Sequence, residues 1–189
     1  MTLDPHPWAH ALDTLHDHAW QRLIRGVHDR HAPARHPTLA TVSPDGWPQA
    51  RTVVLRAADR AHRTLEIHTH LQSPKILDLQ AVPRAALHVW DSGSRLQIRI
   101  QADVVISQGV EVETRWAKVP EQSREAYSRS ERPGQPIPSA LAYQPQPDLS
   151  AFAVLHLHIR AMDLLHLGKR HQRALFSPNN GWAGQWLAP

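Results

Sequence analysis

The chain has no cysteine in 189 residues, which removes disulfides, thiolate metal sites and thiol nucleophiles together. That fits a reducing compartment, and the cytoplasm is the expected location. No apolar run approaches the ~20 residues needed for a membrane-crossing helix. The opening MTLDPHPWAH has neither the charged nor the apolar region of a secretory signal, so no membrane association is expected. Lys and Arg number 21 against 17 Asp and Glu, a formal charge of +4. The excess is spread thinly, with no dense basic run and no interleaved aromatics, so a nucleic-acid partner is not expected. Internal repeats are also absent.

The length suffices for one domain with a sizeable core. We read residues 1–189 as a single domain, with 1–36 as an N-terminal helix and lead-in. Trp8, Leu12, Leu15, Ala19, Leu23 and Val27 recur at helical steps, and Pro33 and Pro37 close that helix. Thr38 to Val42 reads as a strand. Pro44-Asp45-Gly46 then turns the chain into an Arg51 strand, so the two form a hairpin. A further strand covers Leu65 to Thr69, a short helix runs from Pro74 to about Gln80, and Ala85 to Trp90 is again extended. From Leu96 to Ile106 apolar and polar residues alternate, so Leu96, Ile98 and Ile100 face a core while Gln97, Arg99 and Gln101 face water or a ligand. Glu111 to Ser128 is helical, broken at Pro120. The proline-rich stretch 132–147 is an ordered loop or arm. Phe152 to Met162, Ala174 to Phe176 and Gly181 to Leu187 return to strand. Alternating strands and turn signals make the chain α+β and mainly β.

Histidine is the abundant titratable residue, 15 in all. His68/His70 and His156/His158 each share a strand face at a spacing that can bind a metal. A metal also needs a third ligand and supporting hydrogen bonds, so no metal site is expected. His10, His16, His18, His28 and His31 fall mostly on the polar side of the first helix and are read as solvated.

The segment from Arg51 to Lys75 carries the chemistry. Arg51 opens a β-rich run, Thr69 ends the next strand, and Ser73-Pro74-Lys75 starts a helix. An N-cap serine, proline at the first helical position and a nearby lysine offer free N–H groups, a favourable dipole and positive charge to a phosphate. Arg51 and Arg56 are five apart, so on one strand they point to opposite faces unless a bulge intervenes. A second cationic focus is Gly168-Lys169-Arg170-His171-Gln172-Arg173.

In residue order the chain resembles the pyridoxamine 5′-phosphate oxidase family of FMN-binding split barrels. The likeness runs over about Pro37 to Gln101 and returns at Trp186 to Pro189. Arg51 to Arg56 resemble the family's arginine-led strand, and His68-Thr69 its aromatic-Thr pair. Ser73-Pro74-Lys75 resembles its Ser-Arg-Lys, and Gln97 its strand glutamine. Pro74 stands where the family has a cation and His68 where it has tyrosine. Leu165 lies near the family's tryptophan, and the family's substrate-binding Tyr and Arg have no counterpart between Trp116 and Ser130.

The resemblance implies an antiparallel Greek-key split β-barrel of six or seven strands with peripheral helices. It implies FMN as cofactor, held by Arg51, Val53, Val54, Leu55, Arg56, His68, Thr69, Ser73, Lys75, Gln97 and Arg173, with Arg56 and His171 toward a small-molecule substrate. It also implies a homodimer with the cofactor at the interface. An FMN-dependent oxidoreductase on a divergent branch is the leading reading. The alternatives are a non-catalytic barrel holding a flavin or haem as carrier or sensor, and a histidine-using metal or haem protein.

Overall fold

The computed structural model describes residues 6–189. Its main element is an antiparallel sheet of nine strands. They are β1 (Thr38–Val42), β2 (Pro48–Thr52), β3 (Leu55–Asp59), β4 (Thr64–His70), β5 (Arg84–Asp91), β6 (Leu96–Gln108), β7 (Phe152–His166), β8 (Gln172–Phe176) and β9 (Gln185–Leu187). The helices are α1 (Leu12–His28), α2 (Pro74–Ala81), α3 (Glu113–Lys118) and α4 (Glu121–Arg124).

The spatial order is β2-β1-β5-β6-β7-β4-β3, with β8 on β7 and β9 on β8. β2 and β3 terminate this path at opposite ends, yet only Val53 and Val54 separate them in sequence. So short a link spans no more than roughly 11 Å. The two ends of the path must therefore lie side by side, which curls the sheet into a barrel split between β2 and β3. Val53 anchors the link by donating its N–H to the Pro37 carbonyl at 3.0 Å.

The pairing of β6 with β7 forms the spine. Its register runs from Leu96↔His166 to Gln108↔Ala153 and shifts once, at Gln101/Ala102. That irregularity bends both strands, so the first half of β7 pairs with β4 and its last residues with β8. Inward residues of β6 (Leu96, Ile98, Ile100) and β7 (Leu155, Leu157) meet Leu39, Leu87 and Ile67 in the main core. Helix α1 closes one end of the barrel with Leu15, Ala19, Trp20 and Leu23. A second cluster of Val112, Val119, Tyr127, Phe152 and Val154 lies on the far side of β4 and β7, under α3 and α4.

Three expectations need correction. The run from Arg51 to Arg56 is not one strand: it breaks at Val53-Val54, and Arg56 falls where the β3–β4 register shifts. Barrel closure forces that break. The sheet has nine strands where a barrel of six or seven was expected: the break at Val53-Val54 makes β3 a strand of its own, and β8 and β9, both read as strands, pair beyond the seven-strand path. Nor are all the α1 histidines solvated. His16 stacks on Phe176 with centroids 4.4 Å apart, and its Nε2 accepts from the Trp20 indole at 3.0 Å. His18 stacks on Trp8 at 3.8 Å and accepts at Nε2 from Arg22 Nε at 3.0 Å. The proline-rich stretch 132–147 forms no helix or strand. Its base is tied where Ser128 bridges Pro147, and Arg129 N–H donates to the Gln146 carbonyl at 3.1 Å.

Each of those histidines uses its ring nitrogen as an acceptor, so protonation breaks a bond as well as burying charge. Burial, with Arg60 beside His16 and Arg22 beside His18, lowers both from 6.5 to about 4. In that window the unfolded chain binds more protons, so stability should fall as pH falls from 6.5 toward 4 and be restored above 6.5. Denaturant titrations of wild type and the His16→Gln/His18→Gln double variant should show the variant losing much of this slope. An unchanged slope would assign the titration elsewhere. Gly26 gives a second test, since a Cβ there would lie 2.6 Å from the Ala34 carbonyl carbon. Gly26→Ala should therefore cost about 1–3 kcal/mol in the same assay.

Candidate cofactor site

α2 begins at Ser73, whose side chain does not cap the helix. Its hydroxyl lies 3.2 Å from Thr69 Oγ1 at the end of β4, and both accept from Lys75 Nζ, at 3.1 and 3.0 Å respectively. The first turn carries no acidic residue, so its dipole is open to an anion; Pro74 has no N–H, and Ser73 and Ile76 donate theirs to the His70 and Ser73 carbonyls at 3.0 and 2.9 Å, so the contacts on offer come chiefly from side chains. Arg51 reaches the same helix from β2. Leu39, its cross-strand neighbour, is fully buried, so Arg51 shares the core-facing side of the sheet. Its Nη1 donates to Thr41 Oγ1 at 2.6 Å, and its Nη2 lies 3.3 Å from Asp78 Oδ2. Thr41 in turn donates to Asp78 at 2.6 Å.

Asp78 is one residue that sequence reading missed. It is buried on α2, one turn beyond Lys75, and fixes the arginine in place. One carboxylate against two cations leaves the group net positive. Burial lowers the Lys75 pKa and Arg51 lowers it further, while Asp78 acts the other way. The lysine is therefore a cation held where a second cation disfavours it, an arrangement that a bound anion relieves. The set of a guanidinium, an ammonium, two hydroxyls and a helix start fits a phosphate monoester.

Arg56 and His68 occupy another neighbourhood, on the side of the β3–β4 hairpin away from Leu55 and Ile67. Arg56 acts on the Tyr127 phenol, which burial pushes up. Tyr127 meets Phe152 edge-on at 4.9 Å, and Phe152 meets His68 at the same separation. His68 Nε2 lies 2.9 Å from Glu66 Oε1, and Arg115 Nε donates to the other Glu66 oxygen at 3.3 Å. Two nitrogens in this neighbourhood, Arg56 Nε and His68 Nδ1, are buried without a hydrogen-bond partner. Such atoms in a folded protein call for an explanation, a missing ligand among them.

His70, the other member of its pair, is fully engaged. Its Nε2 lies 2.6 Å from the Ser128 carbonyl, and its Nδ1 accepts from Gln72 N–H at 3.0 Å. His156 Nδ1 approaches Glu66 Oε2 to 4.0 Å. Among the described residues no group of three His, Asp or Glu is arranged to hold a metal ion.

Gln97 and Arg173 come together on the outer face. The registers align Trp90, Gln97, Leu165, Arg173 and Leu187 in one row across β5 to β9. Asp163 clamps Arg173 at 3.1 and 2.7 Å and also receives Arg99 at 3.3 Å. Arg173 and Asp163 line a cleft of about 600 Å³. A neighbouring cleft of about 710 Å³ runs among Ala40, Ala86 and Arg84 and meets the phosphate-type cluster only through Thr41. His171 is exposed in the turn before β8. Gln97 faces away from the core that Arg51 faces, so within one chain the two groups lie on opposite sides of the sheet. Val53 and Val54 form the link at the split, and Leu55 is buried in the core.

Sequence and fold are shared with known proteins. Residues 6–108 match the family model for the pyridoxamine 5′-phosphate oxidase, FMN-binding domain. A pyridoxine/pyridoxamine 5′-phosphate oxidase from Xanthomonas euvesicatoria is 40% identical over 90 residues, 46% of this chain and 44% of that protein. Its counterpart from Rhodopseudomonas palustris is 33% identical over 106 residues, covering 56% and 49%. The matches thus span about half the length of these relatives. A solved pyridoxamine 5′-phosphate oxidase-related, FMN binding protein from Nostoc punctiforme matches over 100% of both chains, with 26% identity and a TM-score of 0.75. PhzG from Burkholderia lata shares the fold at 18% identity and a TM-score of 0.71, covering 95% and 93%. The chain belongs to the pyridoxamine 5′-phosphate oxidase, FMN-binding domain family, whose fold is the split barrel and whose cofactor is FMN.

Proposed function

We propose that this protein is an FMN-dependent oxidoreductase that acts on a small molecule. The observation that carries the reading is the convergence of Arg51, Thr69, Ser73 and Lys75 on the uncapped start of α2. Bound FMN supplies two-electron redox chemistry; the chain supplies binding, orientation and charge. Lys75, Arg51 and the hydroxyls of Thr69 and Ser73 at the start of α2 hold the phosphate, and the Val53 to Leu55 link lies against the body of the cofactor. Gln97 and Arg173 address the ring edge. Because they face the opposite side of the sheet from Arg51, we assign them to a second copy, so the functional unit is a homodimer. Arg173 then brings a guanidinium already oriented by Asp163, and positive charge near the ring favours its reduced, anionic form.

Arg56 and His171 are assigned to the substrate. The relatives' names point to a phosphorylated pyridine-type amine or alcohol as the first compounds to try. The substrate-side cations of this chain are fewer, so a substrate without that phosphate belongs in the same screen.

The visible spectrum after FMN addition and desalting is the primary test: retained flavin bands are expected, and a colourless protein would sink the proposal. The Arg51→Ala/Lys75→Ala variant should bind FMN more weakly by roughly 2–5 kcal/mol in a fluorescence titration, since two charge-assisted contacts go. Unchanged affinity in the folded variant would remove the phosphate assignment. With its pKa lowered, Lys75 loses its proton below the ordinary 10.5. FMN affinity of the wild type should therefore decline with rising pH before that value is reached, a decline absent from Lys75→Ala.

A further inference from the structure

The outer face of the sheet carries a charged trough beside the residues assigned to FMN. The two clefts of about 710 and 600 Å³ join there, sharing Ala86, Gln101 and Arg160. Four arginines line the joined clefts, Arg84, Arg99, Arg160 and Arg173, against two carboxylates, Asp103 and Asp163. Asp103 accepts from Arg160 Nε and lies 4.0 Å from Arg84 Nε, while Asp163 lies 3.3 Å from Arg99 and 2.7 Å from Arg173. Each carboxylate orients two guanidiniums and can neutralise one, so the trough keeps an excess of positive charge.

A defect in the spine aims one of these arginines. Gln101 pairs with Ala161 and Ala102 with Ile159, so Arg160 is an extra residue of β7 without a partner on β6. Ile159 and Met162 both belong to the core, and the two residues between them, Arg160 and Ala161, both turn outward. A bulge of this kind re-aims a side chain. Here it sets a guanidinium over the junction of the two clefts. The floor beneath it is low, because the registers put Ala40, Ala86, Gln101 and Ala161 in one row across β1, β5, β6 and β7. His88, Arg99 and Asp163 form one bank of that row, and Arg84, Asp103 and His158 the other.

We infer that this trough binds the carboxylate or phosphate of a planar organic anion, with Arg160 as the recognising residue and Arg99 in support. Asp103 holds Arg160 through Nε, and the remaining pair, Nη1 and Nη2, is the planar fork that matches either oxyanion. Arg99 gives Asp163 a single contact through Nη1, and its other nitrogens face the same bank. The alanine floor suits a flat body lying against the strands. The inference rests on the homodimeric flavin reading above and deepens it by naming the substrate class. Gln97 is two outward positions along β6 from Gln101, so a molecule held by Arg160 lies beside the ring edge that Gln97 and Arg173 address.

The experiment titrates FMN-loaded protein with benzoate, phenyl phosphate and the neutral benzyl alcohol, read by calorimetry and by the flavin difference spectrum. At least one anion should bind more tightly than benzyl alcohol, and the tighter of the two identifies the oxyanion as carboxylate or phosphate. Arg160→Ala should weaken that anion by roughly tenfold to a hundredfold with flavin retention unchanged. Arg160→Lys keeps a cation for Asp103 and covers the case in which the alanine variant folds poorly; it should recover part of the loss, since the fork is gone. Asp103→Asn removes a competing carboxylate and should tighten anion binding, a gain that a merely structural Asp103–Arg160 pair would not give. Equal binding of the alcohol and both anions, or an anion affinity indifferent to the Arg160 and Asp103 variants, would overturn the inference while leaving the flavin reading intact. Failure of wild type to retain FMN would overturn the flavin reading, and calorimetry on the flavin-free protein with the same variants then decides the trough.

Discussion

Val53 and Val54 connect the two outermost strands of a seven-strand path, and the barrel exists because that connection is too short for the path to stay flat. Closure decides where the chemistry lies. The strand before the link turns Arg51 inward, beside Leu39 and toward α2. The strand after it puts Arg56 at a register shift and on the outer side, near Tyr127. Two arginines five residues apart thus serve two neighbourhoods.

Arg51, Arg99, Arg115 and Arg173 are each paired with a carboxylate that is itself substantially buried. Asp78 holds Arg51, Asp163 holds Arg173 and Arg99, and Glu66 holds Arg115 and His68. Such pairing has two opposing effects. It weakens the net attraction for an anion, because part of each charge is already neutralised. It also fixes long side chains before a ligand arrives, which lowers the entropy lost on binding. Lys75 differs: its hydrogen bonds go to hydroxyls rather than to a carboxylate, and its pKa is lowered. Uncompensated positive charge therefore resides at Nζ, between Thr69 and Ser73 and beside the start of α2.

Much of this was legible in the sequence, for identifiable reasons. Strong alternation gave β6 and the inward residues of β7, while Pro44-Asp45-Gly46 gave the β1–β2 hairpin. Ser73-Pro74 gave the start of α2. These features are local, and their periodicity or turn chemistry acts within a few residues. The break at Val53-Val54 was not legible, because Thr52 to Leu55 is as β-prone as any strand and only closure of the whole sheet divides it. Asp78, Asp163 and Tyr127 were missed for a related reason. Their roles depend on partners 15 or more residues away or across the sheet, and nothing local marks an acid as buried. Glu66 was the recoverable omission: it alternates with His68 and His70 on one face of β4, so the spacing that raised a metal reading also puts a carboxylate beside His68. The histidines of α1 misled in the opposite sense. Helical phase set them on the polar side, but Phe176 arrives from the far end of the chain to cover His16, and Trp8 folds back from the turn just before α1 to cover His18.

The family match ends at Gln108, the last residue of β6, whereas Arg173 and His171 lie far beyond it. Structure restores the connection that sequence similarity loses there. β7 pairs with β6 along its whole length and with β8 at its C-terminal end, so Gln97 from the matched part and Arg173 from the unmatched part are only one strand apart. Their alignment follows from a continuous ladder rather than from a flexible loop, and a one-residue slip would turn Gln97 inward. The buried alternation Leu96, Ile98, Ile100 against Leu164 and Met162 prevents that slip. The core packing of β6 and β7 thus sets the outward spacing of an amide and a guanidinium, and residues that touch no ligand determine which polar groups one can meet.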